Sequence, residues 1–170
     1  MLVWRKAREC ATEVRRNYGL TTPVDLADLC DQLGITVWEG NLEGASGLIL
    51  KEPGQDAAIY LEKTDSKVRQ RFTLAHELGH YFERLEASDD AYSFRDEATF
   101  SAERSNKYGL MEFYADEFAG ELLMPEQEFL EIYRKHGLTG TAPHFRVSLP
   151  AAKKRKERLD KSRLAEGEHA

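Results

Sequence analysis

Apolar residues recur along this chain in two different periods. Trp4 through Tyr18 has the amphipathic spacing of a helix and stops near Gly19; Thr22 as N-cap with Pro23 in the first turn opens a short helix over Val24 to Leu33, closed by Gly34. Three β-rich runs follow, Ile35 to Trp38, Gly47 to Leu50 and Ala57 to Leu61, the last two joined by the turn-forming Glu52-Pro53-Gly54-Gln55. They predict a small, mostly antiparallel three-stranded sheet. Helical spacing then returns: Asp65 or Ser66 can cap a long helix running beyond Phe82, with Phe72, Leu74, Leu78, Phe82 and Leu85 as apolar positions. Residues from about Ala87 to Gly109 are polar and poorly periodic, which predicts a loop long enough to shape or cover a cleft. In the helix predicted over Leu110 to Met124, Ala115, Phe118, Ala119 and Leu122 form an apolar i, i+3, i+4, i+7 face. Pro125 ends it and opens another through about Lys135, and Ser148 can cap a last helix with Pro150 in its first turn. The class expected is α+β, a helical body with a small sheet.

Composition narrows the picture. With 170 residues and 41% hydrophobic content, the chain is one globular domain able to bury a core. The expected organisation is a domain over 1–148 followed by a basic helix and tail over 149–170. Arg5, Lys6, Arg8 and Glu9 charge the N-terminus, and no apolar run reaches signal-peptide or membrane length, so a cytoplasmic protein without membrane contact is expected. Cys10 and Cys30 lack metal spacing and read as small apolar side chains. Net charge is 24 − 30 = −6. Seven basic residues against Glu157 and Asp160 give +5 between 153 and 163, leaving −11 elsewhere. A solvated helix accounts for this run, and Lys153, Lys154, Arg155 and Lys156 are its candidate nucleic-acid contacts, though the acidic body argues against nucleic acid as main partner.

Candidate chemistry lies in the long helix, at His76-Glu77-Leu78-Gly79-His80. At about 100° per residue, positions four apart lie about 40° from one another, so His76 and His80 can hold one metal ion from one face. Zinc held by two imidazoles and a carboxylate keeps a fourth position for water, and Glu77 beside it can take that water's proton as general base. A third ligand is needed. The pattern that continues with Gly at 83 and His at 86 is excluded, because Glu83 and Glu86 stand there. The other common solution takes a Glu from a separate helix, with an acidic or amide residue four positions on supporting a ligating imidazole. Glu112 and Asp116 offer that register, with Glu86, Glu117 and Glu121 as alternatives.

Two blocks carry a resemblance to a known family. Arg71-Phe72-Thr73-Leu74-Ala75-His76-Glu77-Leu78-Gly79-His80 and Glu112-x-x-Ala115-Asp116-x-Phe118-Ala119-x-x-Leu122-Leu123-Met124-Pro125 resemble the RFTLAHELGH and ExxANxFAxxLLMP blocks of the ImmA/IrrE metallopeptidases. Asp116 replaces the usual Asn, keeping an acceptor but adding charge. Weaker likeness extends over roughly residues 20 to 160. The resemblance implies a zincin-like site between two helices, one Zn²⁺ per chain on His76, His80 and Glu112, Asp116 orienting an imidazole and Glu77 as the catalytic base. It further implies a zinc endopeptidase, found in phages, mobile elements and bacteria, that relieves transcriptional repression by cutting a helix-turn-helix repressor. The alternative is a non-catalytic or antitoxin-type regulator in which zinc is structural and binding of a partner or DNA is the activity. Tyr81, Tyr108, Tyr114, His136, His144 and Arg71 are available as oxyanion donors.

Overall fold

The computed structural model describes residues 1–97 and 106–167, with side chains at 96–97 and 106–108 outside it. Its helices are α1 (Val3–Asn17), α2 (Leu26–Leu33), α3 (Lys67–Glu86), α4 (Asn106–Leu123), α5 (Glu126–Phe145) and α6 (Leu149–Gly167), and its strands β1 (Thr36–Gly40), β2 (Ala45–Lys51), β3 (Ala58–Glu62) and β4 (Tyr92–Glu97). The class is α+β as expected. Local chemistry explains many boundaries. The Ser66 side chain accepts from Arg69 N to start α3, and Gly34 in the left-handed region (φ 71°) ends α2. Asp25, accepting from Asp28 N, caps α2 in place of the expected Thr22. The β2–β3 turn closes through Gln55 N to Glu52 O at 3.1 Å.

The sheet corrects the expectation of three mostly antiparallel strands. Among the described residues it has four, ordered β1-β3-β2-β4, with β1 parallel to β3 and β2 antiparallel to both its neighbours. Strand β3 inserts beside β1, a choice of partner that the spacing of apolar runs does not encode. Strand β4 lies inside the stretch expected to be loop. Only its alternation of Tyr92 and Phe94 with Ser93 and Arg95 marks it, and Ile49 opposite Phe94 sets its register. Residues 98–105 of that expected loop lie outside the described residues. No helix among the described residues is long and apolar enough to cross a membrane.

Helix α3 is buried between the sheet and α4, and both contacts depend on missing side chains. A Cβ at Gly47 of β2 would sit 2.5 Å from Thr73 Cγ2 and 2.8 Å from Glu77 Oε1; one at Gly79 would sit 2.8 Å from Ala115 Cα on α4. On α4, Ala115, Phe118, Ala119 and Leu122 are all fully buried, as their period predicts. Leu85, by contrast, is 57% exposed at the end of α3.

Helix α6 belongs to the same core. Ala152 and Leu159 are fully buried, and Arg155 bonds Glu121 of α4 and the Met124 carbonyl (3.1 Å). Arg8 of α1 bonds Glu117 of α4 (2.8 Å) and Ser162 of α6 (2.9 Å), while Arg158 pairs with Glu117 at 3.3 Å. An acidic face of α4 therefore meets arginines of α1 and α6 out of water, where breaking one partner leaves an uncompensated charge.

Three substitutions test this packing by urea denaturation. Gly79→Ala should destabilise by about 1–3 kcal/mol despite its helix propensity, because α4 must move, whereas Gly109→Ala, with nothing within 4 Å, should gain up to about 1 kcal/mol. Arg155→Met should cost about 3–5 kcal/mol by stranding Glu121.

Candidate metal centre

The two histidines occupy one face of α3, one turn apart, and are 4% and 1% exposed. Close approach at Gly79 and Ala115 brings Glu112 of α4 over them. Its Oε2 lies 2.9 Å from His76 Nε2 and its Oε1 3.1 Å from His80 Nε2. One ligand atom from each of the three residues falls within 4.8 Å of the others. Tetrahedral ligands with bonds of about 2.0–2.1 Å stand about 3.3 Å apart, so this trio is nearly at metal-binding separation. His80 Nε2 and Glu112 Oε1 are buried without a properly aligned hydrogen bond, although they are neighbours. Two orphaned lone-pair donors aimed at a common point fit a cation better than they fit each other. The nitrogen and oxygen donor set suits a divalent transition metal.

Partners behind the ligands fix their orientation. His76 Nδ1 donates to Asp116 Oδ1 at 2.8 Å, so an ion that displaces the proton between Nε2 and Glu112 Oε2 (2.9 Å) would meet the Nε2 lone pair. Burial disfavours the His76 imidazolium, but the carboxylates of Asp116 and Glu112 outweigh it and hold the pKa well above the ordinary value; for His80, burial prevails and lowers it. Despite its own burial, Glu112 is held down to about 2 by both imidazoles, and Asp116 is lowered by His76 and then by two cations. Those cations come from α6: Lys154 Nζ and Arg158 Nη2 lie 3.3 and 3.4 Å from Asp116 Oδ2. They balance the charge that Asp brings where Asn is usual.

Glu77 is fully buried, its carboxylate lodged against the bare backbone of Gly47. Phe94 of β4 stacks on His80, ring centroids 4.3 Å apart and planes 1° from parallel. This wall was not legible in advance, because Phe94 lies in the stretch that looks like loop. The alternative ligands are engaged elsewhere: Glu117 and Glu121 with arginines, and Glu86 with Lys6 at 3.4 Å. None of the described oxyanion candidates is hydrogen-bonded to the trio. Arg71 donates to Val24 O, His144 pairs with Glu128, Tyr81 packs on Phe82, His136 lies against Gly140 and Tyr114 is buried near Cys10. The Tyr108 side chain lies outside the described residues. Burial raises both thiols, Cys30 to about 12, consistent with inert packing.

The basic run is mostly neutralised within the chain. Lys154 faces Asp116, Lys156 pairs with Asp160 at 2.7 Å, and Arg155 is 3% exposed. As a nucleic-acid contact Arg155 is thereby withdrawn, since its charge is spent inside the protein on Glu121. Lys153 is the exposed member of the four with no ion pair among the described residues.

A search of curated proteins returned no match. The family model of the M78 peptidases, described as the IrrE N-terminal-like domain, matches residues 30–157. That span contains the whole sheet, all three members of the trio and the start of α6.

Elemental analysis should find about one metal ion per purified chain, lost in His80→Ala and in Glu112→Ala. Asp116→Ala should weaken metal affinity by about 10- to 100-fold in a chelator competition, while Asp116→Asn, which keeps an acceptor for His76 Nδ1, should retain most of it.

Proposed function

The chain belongs to the M78 peptidase family, and we propose that it is a zinc-dependent endopeptidase cutting a regulatory protein, a helix-turn-helix repressor, so that repression is relieved. The observation that carries the catalytic reading is Glu77, a carboxylate buried beside the His76, His80 and Glu112 trio without being one of its members. A purely structural metal needs no base next to it.

When bound, zinc supplies Lewis acidity that makes a water nucleophilic near neutral pH and polarises the scissile carbonyl. His76, His80 and Glu112 would hold the ion, and Asp116 keeps the His76 ring in the tautomer that ligation requires. Glu77 takes the proton of the attacking water on its carboxylate and returns it to the leaving amine, so the peptide bond breaks without releasing an amide anion. Apolar contact from Phe94 and the burial of both imidazoles keep bulk water from competing for these proton transfers. Strand β4 is the sheet's edge among the described residues and Phe94 ties it to His80, so an extended peptide added along that edge would pass the trio. A repressor substrate puts the reaction in the cytoplasm.

Glu77→Gln should keep the metal, the fold and partner binding while losing about 10²- to 10⁴-fold in rate. The assay follows a candidate substrate, any helix-turn-helix protein found encoded next to this gene, on a gel, with wild type or Glu77→Gln, with and without a chelator. Cleavage by wild type alone, blocked by chelation, is expected. Equal relief of repression by both proteins with the repressor uncut would make this a binding protein instead of a peptidase.

A further inference from the structure

Asp116 is held at both of its oxygens. Oδ1 takes the His76 Nδ1 hydrogen bond at 2.8 Å, while Oδ2 turns to α6, where Lys154 Nζ and Arg158 Nη2 approach to 3.3 and 3.4 Å. The two cations stand at almost the same distance, yet they are fixed very differently. Lys154 is 57% exposed at the end of a flexible stem, and Asp116 is its one ion partner among the described residues. Arg158 is 22% exposed and held on three sides: Nη1 pairs with Glu117 Oε1 at 3.3 Å, the guanidinium carbon lies 5.3 Å from the Phe113 ring centroid, and Nη2 meets Asp116. Its backbone is equally constrained, because Arg155 and Leu159 beside it on α6 are buried, Arg155 against Glu121 and the Met124 carbonyl.

The planar guanidinium therefore spans two adjacent carboxylates of α4, which a single ammonium cannot do with fixed angles. Asp116 needs such a hold. It is only half-buried, and a carboxylate that can turn about two bonds gains hydration by leaving an imidazole N–H for water. Asn at this place would offer His76 one carbonyl oxygen, and its amide NH₂ would gain nothing from a cation. Asp makes a cation on α6 useful, and of the two available Arg158 is the one rigid enough to fix an orientation.

We infer that Arg158 is a positioning residue of the metal centre: gripping Oδ2 while braced on Glu117, it keeps Asp116 Oδ1 on His76 and so keeps the His76 ring aimed at the ion. The inference rests on the His76, His80 and Glu112 centre of the proposed function, but not on its substrate or on cleavage. Charge alone predicts the opposite. A cation near a dication repels it, so removing Lys154 or Arg158 would then tighten metal binding.

The test is the zinc affinity of the full chain, measured by chelator competition for Arg158→Met and Lys154→Met, each made with Asp116 and with Asp116→Asn. Arg158→Met should weaken zinc about tenfold in the Asp116 chain and leave it nearly unchanged in the Asp116→Asn chain; Lys154→Met should not weaken it in either. By NMR of the zinc-loaded chain, the His76 Nδ1–H should exchange with water faster in Arg158→Met and keep its wild-type protection in Lys154→Met. Arg158→Lys keeps the charge but cannot brace both carboxylates at once, so it should repeat the Arg158→Met result, and it replaces that variant should Arg158→Met not fold. Three results would each overturn the inference. They are unchanged or tighter zinc in the Arg158 variants, an equal loss with Asp116 and with Asn, which marks a general role in docking α6, and equal effects of Arg158→Met and Lys154→Met, which mark charge alone. A wild-type chain that takes up no zinc would instead overturn the metal centre itself, and the inference with it.

Discussion

Contact between two helix backbones at Gly79 and Ala115 underlies the rest of this molecule. A histidine pair on α3 is chemically incomplete, and Glu112 completes it only if α4 runs close enough for a short side chain to span the gap. The smallest residue on α3 and a fully buried alanine on α4 permit that approach. The same principle operates on the other side of α3, where Gly47 of β2 leaves room for Glu77 beside the sheet. The candidate site is therefore set by where side chains are absent as much as by where ligands are present.

Helix α4 serves three neighbours at once because its residues fall on separate faces. Glu112 and Asp116 look toward α3; Ala115, Phe118, Ala119 and Leu122 fill the core; Glu117 and Glu121 meet Arg8, Arg155 and Arg158. Four carboxylates on a largely buried helix would repel one another without cations of this reach. Their burial makes α6 part of the site's support, since Lys154 and Arg158 share Asp116 with His76. The apparent charge asymmetry of the chain is in large part an internal neutralisation.

Spacing alone was enough for what lies within one turn or one turn of chain reversal. His76 and His80 four apart, Glu77 between them, Ser66 before α3, Gly34 after α2 and the Glu52–Gln55 turn all follow from local geometry, and the structure has them where the residues place them. The Glu112 to Asp116 register was also readable, because two carboxylates four apart share a helix face whatever the helix packs on. That these meet His76 and His80, while Glu86, Glu117 and Glu121 do not, depends on the crossing of α3 and α4, and so on long-range packing.

Pairing partners were beyond local reading. The parallel β1–β3 match joins segments separated by the intervening β2, and β4 is a short, half-polar strand whose pattern is too brief to stand out from a loop until Ile49 and His80 meet Phe94. Charge showed the same division. The sequence by itself determined how many basic residues α6 carries and which helix period they follow; only the tertiary structure decided that Arg155 faces inward to Glu121 and Lys154 turns to Asp116, because an ion pair between residues more than thirty positions apart exists only once the helices are docked.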